Sequence, residues 1–579
     1  MFEASSRCFA GVKKDAAISV HDENQHEIAN DKGKAEAVRA FYEKQFTEGV
    51  DTPLPAFTGE PRPENHPIST LEVSNAAKRL KSNRATGPDQ LQNELLKYAH
   101  PVVYETYAEA MNDSFTTHTY IDSIGEGIIT PLQKPGKPKG PVTNLRPLTL
   151  LNGSRKTFTL IALNRVEKVI DDYTMAWQAG YKHDRSYSDI IWAQRMLISV
   201  VKKRKWSFCK LGIDMSRAFD TIKRDVIINV LRDAGASEDD IRIVQYLLSN
   251  TKLRVRVNTT FSEVFESLLG AFQGDSLSGK LFTLVLAAAL HHLRAVSGRP
   301  NPPILSFGLP TEWTYADDND FIGTDMDALE HLYPIAKEVL QDWNLFVNDS
   351  KTEYTEVFLA TKQQKGPDGK RGSLVNNEPW RSSKSLGSFL CSNRDIEERC
   401  NKGWQAFTKF EKVWVHGKKI SLDRKLKLYE ALVVSVMLYN ANSWSAKGSM
   451  LDKLDITHRK HLRKILNIQW PKSVMRNETL YKRCNTVPLS ERVDEMRWRM
   501  FGRILRSDDN TPAYVSLVFA ISNPLNSKGR RGRPRLNLFN LLRDDLKERK
   551  LEFNTMDDLL VVRERAKCRN CWRKLFKEW

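Results

Sequence analysis

Short apolar runs of strand length occur in three parts of the chain. Residues 208–213 form one run, and residues 311–323 form two runs around a pair of aspartates, which predicts a hairpin. Residues 128–151 contain two more runs, separated by a turn rich in Lys, Pro and Gly at 134–141. This pattern predicts a second hairpin, with a basic tip.

Helical spacing of apolar residues marks other segments. Ser69 followed by Glu72 predicts a capped helix start, and residues 88–97 predict a helix opened by a proline. Residues 281–293 are mainly apolar, and residues 421–444 carry apolar side chains at helical spacing. The pattern therefore predicts that the C-terminal third is mainly helical.

Length and composition predict a folded protein with several domains. The 579 residues exceed what one hydrophobic core supports, and 41% hydrophobic with 28% charged residues is typical of globular proteins. Residues 1–69 are polar and include five prolines between 50 and 68, which predicts a linker. We find no apolar stretch of membrane-spanning length and no secretory signal. Seven scattered cysteines favour a reducing, intracellular compartment.

The positive charge is concentrated near the C-terminus. The formal net charge is +18, and residues 451–579 contain 30 basic and 16 acidic residues, which account for +14 of it. A basic region of this size favours a polyanionic partner, and nucleic acid is the commonest one. A solvated, solubilising surface is the alternative explanation.

Three aspartates are candidate metal ligands. Asp317 and Asp318 are adjacent at the predicted hairpin turn, where like charges repel unless a cation lies between them. Hard carboxylate oxygens suit Mg²⁺, and a two-metal site could stabilise both attacking and leaving oxygens of a phosphoryl transfer. Asp214, at the end of the strand predicted at 208–213, is the best candidate for a third carboxylate.

Several motifs in this order resemble those of polymerases encoded by non-LTR (LINE-type) retrotransposons. The resemblance extends over about residues 70–550. The segments that carry it are 84–89, 145–151, 178–181 with Ser186 and Asp189, 214–220, 273–278, 315–318, 348–352 and 385–388.

The resemblance implies a role for each matching residue. Asp214, Asp317 and Asp318 would be the catalytic, metal-binding triad, with two Mg²⁺ ions as cofactors and Mn²⁺ as the alternative. The residues implied to bind substrate are Arg146 at the triphosphate, Phe219 as a steric gate against a 2′-hydroxyl, Gln273 and Gly274 at the nascent base pair and template, and Lys351 as the proton donor to pyrophosphate.

The resemblance also implies a right-hand polymerase of α+β class. Residues 1–69 would be a polar linker and residues 70–395 would form the fingers and a palm with a short antiparallel sheet, with core motifs over 128–390. Within that region the fingers would occupy about 70–205 and 225–265. A helical thumb would occupy 396–470, and a basic, mainly helical region that binds nucleic acid would occupy 471–579.

The implied reaction is the addition of deoxynucleotides to a primer 3′-hydroxyl on an RNA template. Template RNA, primer DNA and dNTPs would be the partners, without a membrane. Basic residues near the C-terminus would bind nucleic acid: Arg530, Arg531, Arg533 and Arg535. The basic run at 202–205 resembles a nuclear import signal, which favours a nuclear location. An endonuclease domain is not expected in this chain.

Some features depart from the pattern or allow another interpretation. Gly279 stands where the family usually has proline, which predicts looser template positioning. Gly274, Gly279 and Lys280 nearly match a phosphate-binding loop, but Leu281 replaces the required Ser or Thr. A zinc site could be formed by Cys568, Cys571, His458 and His461, although 107 residues separate the two pairs.

Two other functions remain open at this point. The chain could be a noncatalytic, nucleic-acid-binding remnant of such a polymerase, because an inert copy can keep its carboxylates. It could also be similar to a group II intron maturase, which combines the same palm with a role in RNA splicing. The basic C-terminal run at 497–503, followed by 530–535, resembles the LINE type instead.

Overall fold

The computed structural model describes most of the chain as a mixture of helices and strands, which confirms the α+β class. The described residues are 18–22, 24–50, 54, 65–174, 176–204, 206, 208–305, 308–358, 380, 382–417, 419–469, 471, 473–523 and 537–577.

Helices and strands alternate in the first half of the described chain. The helices there are α1 (Asp31–Thr47), α2 (Thr70–Arg79), α3 (Asn93–Lys97), α4 (Pro101–Thr116), α5 (Asp122–Gly125), α6 (Gly153–Tyr173), α7 (Tyr187–Arg204), α8 (Arg224–Asp233), α9 (Glu238–Leu248) and α10 (Ser278–Ser297).

The strands are short and extend to residue 389. They are β1 (Glu126–Gln133), β2 (Leu145–Leu151), β3 (Phe208–Ile213), β4 (Met215–Ser216), β5 (Lys252–Val257), β6 (Thr260–Phe261), β7 (Phe265–Glu266), β8 (Glu312–Tyr315), β9 (Asp318–Gly323), β10 (Phe346–Val347), β11 (Glu353–Phe358), β12 (Lys384–Ser385) and β13 (Ser388–Phe389).

The second half is mainly helical, as its apolar spacing predicts. Two π-helical segments, Lys412–His416 and Glu430–Val434, interrupt the α-helices. The α-helices are α11 (Met326–Asp342), α12 (Ser392–Lys409), α13 (Leu422–Tyr429), α14 (Ser435–Met437), α15 (Ser449–Ile465), α16 (Asn477–Arg483), α17 (Leu489–Leu505), α18 (Pro512–Ser522), α19 (Leu538–Glu548), α20 (Met556–Lys567) and α21 (Arg569–Lys577).

A four-stranded antiparallel sheet lies at the centre of the fold, in the order β11-β3-β9-β8. Strands β8 and β9 form the hairpin predicted from the sequence, with Ala316 and Asp317 at its turn. Buried side chains of β3 and β9 pack with helices α6, α8, α10 and α11 into the largest hydrophobic core. This packing holds the acidic ends of the strands on a rigid base.

A second, mixed sheet carries the predicted basic-tipped hairpin. Strands β1 and β2 pair antiparallel, whereas β1 and β5 pair in parallel. Helix α1 packs on this sheet through Val38 and Tyr42, and the carbonyl of Phe46 accepts hydrogen bonds from the N–H groups of Leu268 and Leu269 at 3.0 Å. The prediction of a linker over 1–69 is therefore wrong for α1, whose apolar stripe is buried.

Two predicted helix starts have different outcomes. The Ser69 and Glu72 capping box is present at the start of α2. The helix predicted at 88–97 begins only at Asn93, because Gln90 has a φ of +58°. Such a left-handed residue interrupts a helix, so the residues from Pro88 onward form a turn instead.

Helix α17 contributes to both of the C-terminal hydrophobic cores. Val493 packs into a helical core that begins at Ile396, whereas Trp498 packs into a core shared with helix α7. The packing thus changes within one helix and not at the predicted boundary of residue 470. Trp192 and Trp313 are both buried in the shared core, next to the central sheet.

In the part of the chain that the structure describes, we find no helix with the length and apolar character needed to cross a bilayer.

Candidate active site

Strand register places three aspartates at the same end of the central sheet. Ile213 pairs with Asn319 across β3 and β9, so Asp214 and Asp318 each lie one step toward the same end. Asp318 pairs with Tyr315 in the hairpin, and Asp317 occupies the turn between them. The topology thus brings Asp214 beside residues that follow it by more than a hundred positions.

The electrostatics of the paired aspartates agree with this placement. Desolvation, followed by the charges of Asp317, Asp320 and Asp214, raises the pKa of Asp318 to about 7, although part of its side chain faces solvent. Desolvation, and then the charge of Asp214, also raises the pKa of Asp317. Asp317 and Asp318 therefore both resist ionisation, because burial and the neighbouring negative charges disfavour their charged forms.

Lys351 contacts the first aspartate directly. Its Nζ lies 2.7 Å from Oδ2 of Asp214, and the backbone N–H of Asn348 donates to the Asp214 carbonyl at 2.8 Å. The short strand β10, which pairs with β4 just after Asp214, delivers this turn to the site. The predicted residue Lys351 and the predicted triad are thus brought together.

The donor set suits a hard divalent cation. Carboxylate oxygens are the preferred ligands of Mg²⁺, and the raised pKa of Asp318 is the shift that a nearby cation would reverse. Among the described residues, however, no group of three or more His, Cys, Asp or Glu side chains is arranged to ligate a metal. Asp214 instead forms an ion pair with Lys351.

Backbone contacts hold Gln273 and Gly274 against strand β2. The Gln273 carbonyl accepts a hydrogen bond from the Thr149 N–H at 2.9 Å. Gly274 has a φ of +125°, and a Cβ at this position would lie only 2.7 Å from the Thr149 carbonyl oxygen. Glycine is therefore required for the loop to approach strand β2 this closely.

Two residues missed by the sequence analysis support Gln273. Its Nε2 donates to Oδ1 of Asp220 at 3.3 Å, and Nε2 of Gln45, on helix α1, donates to Oδ2 of Asp220 at 3.0 Å. Burial raises the pKa of Asp220 to about 6, and these two donors oppose the shift. Asp220 belongs to the motif at 214–220, but the sequence indicated no role for it. No local signal connected Gln45 with Asp220.

Arg146 and Phe219 lie on different elements, strand β2 and the segment after strand β4. Arg146 is exposed on β2, and its charge partly opposes the rise in the pKa of Asp317, so it lies within electrostatic range of that carboxylate. Phe219 is half-buried, and its ring lies 4.7 Å from that of Phe282. The substrate contacts of these two side chains remain predictions.

A third aspartate of the hairpin, Asp320, has a structural role behind the site. Its Oδ1 accepts from Lys210 Nζ at 2.9 Å, and its Oδ2 accepts from Gln194 at 2.6 Å and from Ser385 at 3.3 Å. These bonds connect β9 with strand β3, helix α7 and strand β12. The sequence analysis did not identify this connection.

The phosphate-binding-loop alternative is wrong because its lysine is engaged elsewhere. Lys280 is buried, and its Nζ lies 2.6 Å from Asp171 and 3.2 Å from Glu167, both on helix α6. A lysine held in such a pair does not reach a nucleotide phosphate. Gly279, next to it, contacts the ring of Tyr181.

The zinc alternative is also wrong for the described residues. His458 and His461 are buried among aromatic rings, and their Nδ1 atoms hydrogen-bond to the Tyr429 hydroxyl. Burial lowers the pKa of each histidine to about 3. Cys568 and Cys571 are bonded to each other, and no metal-ligating cluster joins the two pairs.

The side chains of two basic segments predicted to bind partners fall outside the described part of the structure. Arg530, Arg531, Arg533 and Arg535 lie outside the described residues, as do the side chains of residues 202–205. Their predicted contact with nucleic acid and role in nuclear import remain predictions.

Residues 133–384 match the family model described as reverse transcriptase (RNA-dependent DNA polymerase). This range contains the three aspartates and the five residues predicted to bind substrate. The chain therefore contains a reverse transcriptase domain, which supports the predicted identity of the central motifs.

Two curated relatives come from mobile elements of flies. The chain is 23% identical over 420 residues to the RNA-directed DNA polymerase from mobile element jockey of Drosophila funebris, covering 70% of this chain and 44% of that protein. It is 21% identical over 459 residues to the probable RNA-directed DNA polymerase from transposon X-element of Drosophila melanogaster, covering 76% of this chain and 48% of that protein. These matches confirm the resemblance to non-LTR retrotransposon polymerases, although the chain spans less than half of each relative.

One solved structure shows a weak overall likeness. The telomerase from Candida albicans, in complex with a TWJ fragment of telomeric RNA, is 12% identical, with 63% of this chain and 65% of that chain covered. Its TM-score of 0.35 is too low to establish a shared fold.

Proposed function

We propose that this chain is an RNA-directed DNA polymerase of a non-LTR retrotransposon, which adds dNTPs to a primer 3′-hydroxyl. The observation that carries the proposal is the convergence of Asp214, Asp317 and Asp318 at one end of the central sheet, within the residues that match the reverse transcriptase family. Phosphoryl transfer requires positioning and charge stabilisation more than covalent chemistry, and this arrangement of carboxylates is suited to both.

The right-hand architecture is the second part of the proposal. The central antiparallel sheet is the palm, the helices and hairpin of residues 70–205 and 225–265 form the fingers, and the helices from residue 396 form the thumb. The burial of the sheet against α10 and α11 supports this assignment, because a palm must hold its carboxylates on a rigid base.

Two Mg²⁺ ions, or Mn²⁺ in their place, would be held by Asp214, Asp317 and Asp318. When bound, such ions favour ionisation of the attacking hydroxyl and stabilise charge on the phosphate and the leaving pyrophosphate. The raised pKa of Asp318 supports a cation at this place, because a positive charge would restore its ionised form.

The remaining residues of the site orient the substrate. The exposed guanidinium of Arg146 binds the triphosphate through its forked donors. Phe219 lies against the sugar and selects deoxynucleotides, and Gln273 with Gly274 contacts the nascent base pair and template. Lys351 holds a proton at Nζ, 2.7 Å from Asp214, and delivers it to the leaving pyrophosphate.

Template RNA and primer DNA are the proposed macromolecular partners, and the nucleus is the proposed location. The basic C-terminal region, 471–579, binds nucleic acid in this proposal, with Arg530, Arg531, Arg533 and Arg535 among its contacts. The charge of +14 over residues 451–579 supports that role.

Primer extension on an RNA template tests the proposal. The parent protein, Asp317→Ala and the control Asp342→Ala are compared with Mg²⁺ and all four dNTPs. Asp342 is an exposed aspartate at the end of α11. We expect extension by the parent and the control and a loss of about a hundredfold or more in Asp317→Ala, because the charge held at the reacting phosphate is removed.

Equal extension by the parent and Asp317→Ala would contradict the mechanism. A parent that binds the RNA template but extends no primer would instead identify a noncatalytic remnant. Activity in splicing a cognate intron, without primer extension, would indicate a maturase-like function.

A further inference from the structure

A short segment ending at Tyr181 is fixed against the hairpin that carries the paired aspartates. The side-chain oxygen of Gln178 accepts hydrogen bonds from the backbone N–H groups of Gly180, at 2.7 Å, and Ala316, at 2.9 Å. Gln178 is buried, so these bonds form away from water. The segment and the turn before Asp317 therefore keep one relative position.

The ring of Tyr181 lies directly on Gly279. A Cβ built at residue 279 would be 2.3 Å from Cδ1 and 2.5 Å from Cε1 of the Tyr181 ring, so the ring and a side chain at 279 exclude each other. Tyr181 itself has a φ of +54°, a left-handed conformation that bulky residues rarely adopt. The glycine makes room for the ring, and the backbone turns the ring toward it.

The same ring also contacts Phe219. The two ring centroids lie 5.9 Å apart in an edge-to-face arrangement, and the Phe282 ring lies 4.7 Å from the Phe219 ring. Phe282 is fully buried on helix α10, whereas Tyr181 is 50% exposed. The carbonyl of Phe219 accepts a hydrogen bond from the Ala271 N–H, so its backbone is fixed, and the rings of Tyr181 and Phe282 both pack against its ring.

Tyr181 also borders the carboxylates. Burial, and then the charge of Asp317, raises the pKa of its hydroxyl. Its hydroxyl therefore lies within electrostatic range of Asp317.

We infer that Tyr181 is a positioning residue for sugar selection: seated on Gly279, it holds the Phe219 ring in the orientation that excludes a 2′-hydroxyl. This inference rests on the proposed polymerase function. It also gives Gly279 a specific purpose, because the missing side chain provides the seat for Tyr181 and does not merely loosen the loop.

The physical argument concerns the freedom of one ring. An aromatic side chain rejects an added hydroxyl only while a close-packed neighbour prevents it from rotating away. Without Tyr181, the Phe219 ring keeps Phe282 on one face and gains open space at its edge. A ribonucleotide would then displace the ring at little cost, whereas a deoxynucleotide would bind as before.

The test measures kcat/KM for a dNTP and for the matching rNTP in single-nucleotide primer extension with the full chain. In Tyr181→Ala and in Gly279→Ala, we expect the ratio of the two values to fall about tenfold, the size of effect typical of a lost steric contact. Tyr181→Phe keeps the ring and should retain the parent ratio. The double variant Tyr181→Ala/Gly279→Ala should match Tyr181→Ala alone, because both changes act on the same ring.

The ratio is internal to each protein, so a reduced fraction of folded enzyme does not alter it. Gly153→Ala is the matched control, because a Cβ there would have its nearest neighbour at 3.5 Å. An unchanged ratio in Tyr181→Ala, or an equal loss for both sugars, would overturn the inference while leaving the polymerase intact. A parent that adds no dNTP would overturn the proposed function and this inference together.

Discussion

Single residues of the site are held by partners that are distant in sequence. Gln45 and Asp220 are separated by 175 positions, yet they form a buried hydrogen bond at 3.0 Å. The same carboxyl accepts a hydrogen bond from Gln273, the residue proposed to contact the nascent base pair. Helix α1 therefore influences the site through one amide side chain, although the segment around it was predicted to be a linker.

Replacement of Gln45 by alanine should weaken the fold in a pH-dependent way. The pKa of the buried Asp220 is about 6, against 3.8 for an unperturbed aspartate, so ionisation of this group already disfavours the folded state as the pH rises through this interval. Removing a donor raises the folded pKa further. We expect a loss of about 1 to 2 kcal/mol at pH 7 and a smaller loss at pH 4, measured by urea unfolding.

Lys44→Ala, an exposed change on the same helix, is the control for the Gln45 variant. Equal losses at pH 4 and pH 7 would show that the hydrogen bond to Asp220 does not determine the effect.

At the scale of elements, two stacked tryptophans hold helix α21 against helix α17. The rings of Trp498 and Trp572 stack 4.2 Å apart, and each Nε1 donates to the other residue's carbonyl, at 2.8 and 3.0 Å. Gly502 lies one turn along α17, where a Cβ would be 2.3 Å from Nε1 of Trp572. The glycine is thus a packing requirement between α17 and α21.

The change Gly502→Ala should displace Trp572 and destabilise the C-terminal helices. We expect a loss of about 1 to 3 kcal/mol, typical of overpacking in a filled core, with a matching change in tryptophan fluorescence. Arg499→Ala, on the exposed face of the same helix, should have little effect because its ion pair with Glu495 is at the surface. An unchanged free energy of unfolding in Gly502→Ala would contradict the prediction, because it would mean that α17 and α21 accommodate the added methyl group without loss of stability.

The sequence pattern predicts which helices and strands are present better than it predicts the residues at which they begin and end. The hairpin around Asp317 and the capped start of α2 follow from alternation and from one Ser and Glu pair, which are local signals. The helix predicted at 88–97 failed because Gln90 takes a left-handed conformation within the preceding turn. A proline before a helical pattern does not distinguish a first helical turn from the turn that precedes it.

At the scale of the whole molecule, a shared hydrophobic core joins the basic C-terminal region to the part of the chain that carries the aspartates. Helices α18 and α19 pack against α7, so the basic C-terminal region is attached to the body that carries the aspartates. Within that region, burial and then the charges of Arg569 and Arg573 lower the pKa of Arg506, which shows that these basic groups crowd one surface. Such crowding is costly unless an anion lies nearby.

Salt dependence of nucleic-acid binding tests this surface. If Arg569 and Arg573 each contact a phosphate, the double variant Arg569→Ala/Arg573→Ala should reduce the slope of log K against log salt concentration by about 1.4 to 1.8. The control Lys78→Ala/Lys81→Ala removes the same charge from the exposed surface near α2. An equal change of slope in both variants would indicate nonspecific attraction by net charge.

The chemistry of the candidate site can be found from the chain alone, because acidic residues at strand ends and glycines at turns leave short-range signals. That information includes the three aspartates, the strands that carry them and the excess of basic residues near the C-terminus. Folding adds the long-range partners: Gln45 at Asp220, Tyr181 on Gly279, and α17 between two cores. Such contacts depend on which apolar faces pack together between segments that are far apart in sequence, and local periodicity carries no record of that choice.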